Sequence, residues 1–205
     1  MEELERVYRH IDEHLDEHIE RVRRLIQQPS VSQTGEGVIE CAEMLKDWLL
    51  NLGCSHVELA EPEYFWPIIY GEYNAGAEKT LIIYGMYDVQ PVEPELWDYP
   101  PFEARVVERP PFKRVLIGRG AINTKGPMAA FLNAFESIQQ AAGELPVNLI
   151  FVFEGEEERG SVSMPKFIRD YEQRLKRADG VYFPICSQDR NGLARPSLGS
   201  EGILY

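Results

Sequence analysis

The chain is poor in cysteine and in basic charge, and it has no long apolar run. Its 205 residues include three cysteines, Cys41, Cys54 and Cys186, with no CxxC spacing. A sparse, odd set of this kind is poor material for a disulfide framework and fits a reducing compartment, so a cytoplasmic location is expected. Lys and Arg number 21 against 34 Asp and Glu, for a formal net charge of -13. That balance argues against non-specific nucleic-acid binding, which needs clustered cations, and against docking on an anionic membrane surface. The longest apolar stretches, such as 147–153, are far too short to span a bilayer. The amino-terminal MEELERVYRHIDEHLDEHIERVRRL is charged throughout and does not read as a secretory signal. There is no internal repeat and no low-complexity tract. The remaining composition, 44% apolar and 27% charged, is that of a folded globular protein long enough to bury a core.

Hydrophobic spacing supplies the elements. Leu4, Val7, Ile11, Leu15, Ile19, Val22 and Ile26 recur every three or four residues, one apolar face of a long helix ending before Pro29. Val38, Ala42, Leu45, Leu49 and Leu52 form a second such face, closed by Gly53. Short β-like runs follow at 57–59, 68–71 and 81–84. A Pro-rich loop is expected over 90–112, then a strand at 115–117 and a helix over Lys125–Ala142. The continuous apolar run 147–153 predicts a strand buried on both faces. A helix over 161–178 and a strand at 180–184 complete the pattern. Alternating strands and helices predict an α/β fold with a mixed, mostly parallel sheet and helices on both faces. Ligands of such sheets sit at the carboxyl ends of strands.

Three segments lie at those positions: YGMYDVQP (84–91), GRGAINTKG (118–126) and EGEEERGS (154–161). The last crowds Glu154, Glu156, Glu157 and Glu158 into five positions. Such carboxylates raise one another's pKa unless a cation or hydrogen-bond donors compensate. A metal ligand beside a general base has this form, and so does a solvated acidic loop. Asp88 alone reads as a turn residue. GRGAINTKG lacks the spacing of a phosphate-binding loop, and its Asn123-Thr124-Lys125 run can cap the next helix. His10, His14 and His18 share one side of the first helix, where Asp12, Glu13, Asp16 and Glu17 predict a solvated face with His18 at its apolar border.

Taken together and in this order, the three segments resemble the dinuclear zinc exopeptidase and deacylase family. That family includes carnosinase-type dipeptidases, glutamate carboxypeptidases, aminoacylases, acetylornithine deacetylase and succinyl-diaminopimelate desuccinylase. The carnosinase-type branch reads YGHYDVQP, GRGAxDDKG and EGxEExGS at the same places. The resemblance implies a zinc-exopeptidase-like catalytic domain over 1–195, with 196–205, which include LGSEGILY, opening a lid or dimerisation domain. It implies metal-assisted hydrolysis of dipeptides or N-acyl amino acids by two zinc ions sharing a water and a bridging Asp. Glu157 then takes the general-base position, Glu158 a ligand position, and Asp88 the position that orients a His ligand.

At other positions the motif differs. Met86 stands where the family has its first His ligand, Asn123 where it has the bridging Asp, and Ile185 where it has an Asp ligand. Cys186 or Asp189 would supply that last ligand in a shifted alignment. A thioether is a weak, soft ligand, an amide bridges two dications without neutralising them, and a hydrocarbon ligates nothing. Zinc is therefore expected at one site or none, and family-type dinuclear catalysis is not expected. The alternatives are an inactive family member that binds a peptide, an acyl-amino acid or a partner subunit; a mononuclear hydrolase on Glu158; and a metal-free hydrolase with Glu157 as base, assisted by Asp88 or Lys125. Apolar Met86 and Ile185 would also raise the pKa of the Glu157 and Glu158 carboxyls by desolvation. Expected partners are a small peptide or acyl-amino acid and a second copy, or a chain supplying the remaining half.

Overall fold

A computed structural model of the chain describes residues 2–60, 65–143 and 145–185, with Asp189, Asn191, Leu193 and Arg195. Cys186 and 196–205, where the first residues of a lid are expected, lie outside the described residues. The helices are α1 (Glu2–Glu13), α2 (Leu15–Gln27), α3 (Val38–Asn51), α4 (Lys125–Ala142), α5 (Met164–Asp170) and α6 (Glu172–Leu175). The strands are β1 (His56–Ala60), β2 (Ile68–Tyr73), β3 (Thr80–Met86), β4 (Arg105–Arg109), β5 (Phe112–Ile117), β6 (Asn148–Glu154) and β7 (Gly180–Tyr182).

Among the described residues, five strands form one sheet in the order β1-β2-β6-β3-β7. β2 runs antiparallel to both neighbours, while β6, β3 and β7 pair in parallel. Four of the five strands therefore point the same way, the mixed, mostly parallel sheet that the pattern predicts. Strand periodicity of two sorts the side chains. Ile69, Ile83, Leu149, Phe151 and Phe153 join the core built with Leu45, Leu49, Met128, Leu132 and Phe135 from α3 and α4. Ile68, Tyr70, Ile150 and Val152 join a second core around Phe167 of α5. Burial on both faces is why β6 reads as an unbroken apolar run.

Three elements depart from the sequence expectation. The first helix is broken at His14 (φ -108, ψ 15), so α1 and α2 are separate. The His14 ring Nδ1 donates to the His10 carbonyl at 2.8 Å, and the two rings stack with centroids 4.0 Å apart. His18 is buried rather than at a solvated border, because α1 and α2 pack on α4. Its backbone carbonyl accepts from Asn133 Nδ2 at 3.2 Å, and burial lowers its imidazole pKa. The expected helix over 161–178 is two short helices, α5 and α6, meeting at Tyr171. The Pro-rich loop contains β4, which pairs with β5 in a separate hairpin. Cross-strand pairing overrides the short, charged sequence of β4. An apolar cavity of about 320 Å³ lies between this hairpin and α1, α2 and α4.

Phe167 is fully buried and ties α5 to the sheet directly after the acidic loop. Phe167→Ala should cost about 3–5 kcal/mol through lost burial and a residual cavity, and urea unfolding measures it.

Candidate active site

β3 and β6 are adjacent and parallel, and their carboxyl ends stop together. Met86 pairs with Glu154, and the Tyr87 amide donates to the Glu154 carbonyl at 2.9 Å. The two acidic segments of the sequence thus emerge side by side. Asp88, two residues past β3, is buried, and its two carboxylate oxygens accept from the amides of Glu157 (3.1 Å) and Glu158 (3.0 Å). A single carboxylate therefore holds the turn that presents both glutamates. Gln90 Nε2 donates to the Glu158 carboxylate at 2.8 Å and to its carbonyl at 3.2 Å.

The four glutamates of the acidic loop separate by burial. Glu154 and Glu156 point into the protein and brace the loop, each nearly inaccessible to solvent. Glu156 accepts from the Trp66 and Ser163 amides, both at 3.0 Å. Glu154 Oε1 accepts from the Tyr84 hydroxyl and, at 3.0 Å, from Ser161 Oγ, while the buried Oε2 has no partner. Gly155 lies between them because a Cβ there would meet the Tyr87 hydroxyl at 2.5 Å. Glu157 and Glu158 are half-buried at the surface of the turn. The adjacency of four acidic letters conceals this division, and the glycine among them is its one sequence signal.

Burial is the main cause raising the Asp88 pKa, with the nearby Ser32 hydroxyl and the two loop amides acting against it. The Glu154 carboxyl is likewise raised by burial, against the hydrogen bonds of Tyr84 and Ser161. Glu157 is raised by burial and then by the charges of Glu158 and Asp88, the direction expected for it from the sequence.

The remaining positions differ in setting. Met86 is buried. Asn123 is exposed, and the following residue, Thr124, donates through its hydroxyl to the Met86 carbonyl at 2.8 Å. Ile185 is 51% exposed, so it adds less apolar cover than the sequence suggests. Asp189 closes a turn, accepting from the Asn191 (2.8 Å) and Leu193 (3.0 Å) amides. Lys125 is fully buried and donates to the Gln28 carbonyl at 2.6 Å, and its burial pushes the ammonium pKa down. Among the described residues, no three His, Cys, Asp or Glu side chains come together as a metal would require. No helix among them is long and apolar enough to cross a membrane.

A parallel-centred sheet with an acidic turn at its carboxyl edge defines an α/β domain with its candidate site at the strand ends. The sequence profile of peptidase family M20/M25/M40 matches residues 82–195, and the chain belongs to that family. It is 34% identical over 98% of its length to the Cys-Gly metallodipeptidase DUG1 of Candida albicans, covering 44% of that protein. Its structure resembles the M20 family metallo-carboxypeptidase Sso-CP2 of Sulfolobus solfataricus (TM-score 0.76, 36% identity, 86% of this chain and 39% of that one). It also resembles human carnosine dipeptidase 1 (TM-score 0.77, 27% identity, 88% and 40%). The chain thus spans less than half the length of these relatives.

Two measurements test this geometry. Asp88→Asn replaces one acceptor oxygen with a donor facing a backbone amide. It should cost about 1–3 kcal/mol and speed hydrogen exchange at the amides of 157 and 158. Glu154 keeps its proton to higher pH in the folded than in the unfolded chain, so its contribution is complete in acid and is lost as pH rises through the folded pKa. As pH rises above the ordinary glutamate pKa of about 4, urea titrations should show the parent losing stability relative to Glu154→Gln.

Proposed function

We propose that the domain is the amino-terminal part of a peptidase or amidohydrolase scaffold for dipeptides or N-acyl amino acids, and that this chain does not assemble its family's dinuclear zinc centre. The observation that carries the first half is the Asp88 carboxylate bridging the Glu157 and Glu158 amides at the ends of β3 and β6. The family resemblance places its general base, a ligand glutamate and an orienting Asp at these three residues. Glu157 suits proton transfer on a bound amide, because a general base works best when its pKa is moved toward the working pH. The donor chemistry carries the second half. Met86, Asn123 and Ile185 offer a buried thioether, an exposed amide and a hydrocarbon, a set that does not fit two zinc ions. Among the described residues, Glu158 is without the set of three ligating side chains that zinc needs. Peptide binding by the retained edge follows from this, with Glu157 as the residue able to move a proton.

The partner reading rests on β7. Among the described residues it is an outer strand of the sheet, with Val181 67% and Tyr182 48% exposed. An open edge of this kind pairs readily with a further strand, from the polypeptide completing the relatives' length or from a second copy.

Zinc titration by calorimetry tests the proposal, with the chain run beside a variant carrying Met86→His, Asn123→Asp and Ile185→Asp. The parent should show no saturable binding below about millimolar, while the variant, checked for folding by circular dichroism, gains a site. Tight binding of one zinc by the parent would overturn the ligand argument and favour a mononuclear hydrolase on Glu158.

A further inference from the structure

The apolar cavity between the β4–β5 hairpin and the helices is walled by Ile11, Leu15 and Val22 of α1 and α2, Val106 and Leu116 of the hairpin, and Ala134 of α4. Ala130 also lines it, one turn before Ala134 on the same face of α4, and these two small side chains leave the space open. None of the lining residues belongs to the three polar segments. The volume of about 320 Å³ is roughly twice that of an apolar cavity able to hold benzene.

His18 lines this cavity while only 7% exposed. Its ring nitrogens have no hydrogen-bond partner among the described residues, yet neither is closed to solvent, whereas His10 Nδ1 is. The cavity's other polar side chains are engaged. Arg114 pairs with Asp16, and Asn133 accepts from Arg21 Nη1 at 3.4 Å and donates to the His18 carbonyl at 3.2 Å. The His18 imidazole is thus the polar group that the fold leaves unused here. Burial, and then the charges of Arg21, His10 and His14, hold its pKa below the usual histidine value. A neutral imidazole offers one donor and one acceptor. Water is poorly held by one such ring, since a buried water needs about two to four polar partners. A charged ligand would find no free counter-ion, because Arg114 already has Asp16. A hydroxyl on an apolar body satisfies both the walls and the ring.

We propose that this cavity binds a small uncharged phenol or alcohol, with its apolar body against the walls and its hydroxyl on the His18 imidazole. The probes are para-ethylphenol and its methyl ether, para-ethylanisole, in which a methyl replaces the hydroxyl hydrogen. Calorimetry on the whole chain should show the phenol binding about ten-fold more tightly than the ether. Methyl NMR spectra should locate it, with saturable shifts at Ile11, Val22 and Leu116. His18→Phe should erase the preference and leave the ether's affinity unchanged, and Ala134→Phe, which fills the space, should abolish binding of both probes. Equal binding of the two probes by the parent overturns the proposal, as does a preference that survives in His18→Phe or binding that survives in Ala134→Phe. Binding that leaves the lining methyls unshifted, or no binding of either probe, overturns the cavity as a site. The titrations and spectra of the parent decide the question even where a variant does not fold.

Discussion

The Asp88 carboxylate is the constraint on which the site's geometry depends. It sits just beyond the end of one central strand and closes the turn beyond the end of the next, through the amides of Glu157 and Glu158. Those amides would otherwise be unpaired in a half-buried turn. Because β3 and β6 are parallel neighbours in register, the bridge spans the shortest gap that the sheet offers. Burial raises the Asp88 pKa, and the amides partly offset the desolvation. Structure and electrostatics are thus set by one group.

Around that bridge, the acidic loop stands on its own inward-facing members. Glu156 reaches the Trp66 amide, and Trp66 Nε1 donates to the Ser32 carbonyl at 2.8 Å. The loop, the segment before β2 and the segment before α3 are therefore joined by charge-assisted and backbone hydrogen bonds. This leaves Glu157 and Glu158 as the members available to a ligand. Two cores, one on each face of the sheet, hold the strands beneath.

Family membership and local chemistry point in different directions here. Scaffold and order of segments are those of M20 peptidases, whereas the side chains at 86, 123 and 185 are poor company for zinc. A fold persists when its cores and backbone hydrogen bonds persist, and neither depends on these three positions. Chemistry depends on a few atoms, so it is the first property to separate from the fold.

The sequence by itself determined the α/β class, the position of α4, both faces of β6 and the carboxyl-edge location of the three polar segments. These follow from periodicity, which is local and strong for long elements. Asp88, Glu157 and Glu158 stood out only through the resemblance of the three motifs to those of the family. Only the tertiary structure decided the rest. The break at His14 is a local change of backbone angle, with the ring bonded to the His10 carbonyl, that no hydrophobic pattern encodes. β4 exists because β5 pairs with it. His18 is buried because α4 covers it, and Glu154 and Glu156 turn inward because donors from distant segments meet them. Arg119 reaches the Trp97 ring and the Pro91 carbonyl because the loops carrying them close around it. All but the first depend on a partner elsewhere in the chain, so spacing alone cannot reveal them.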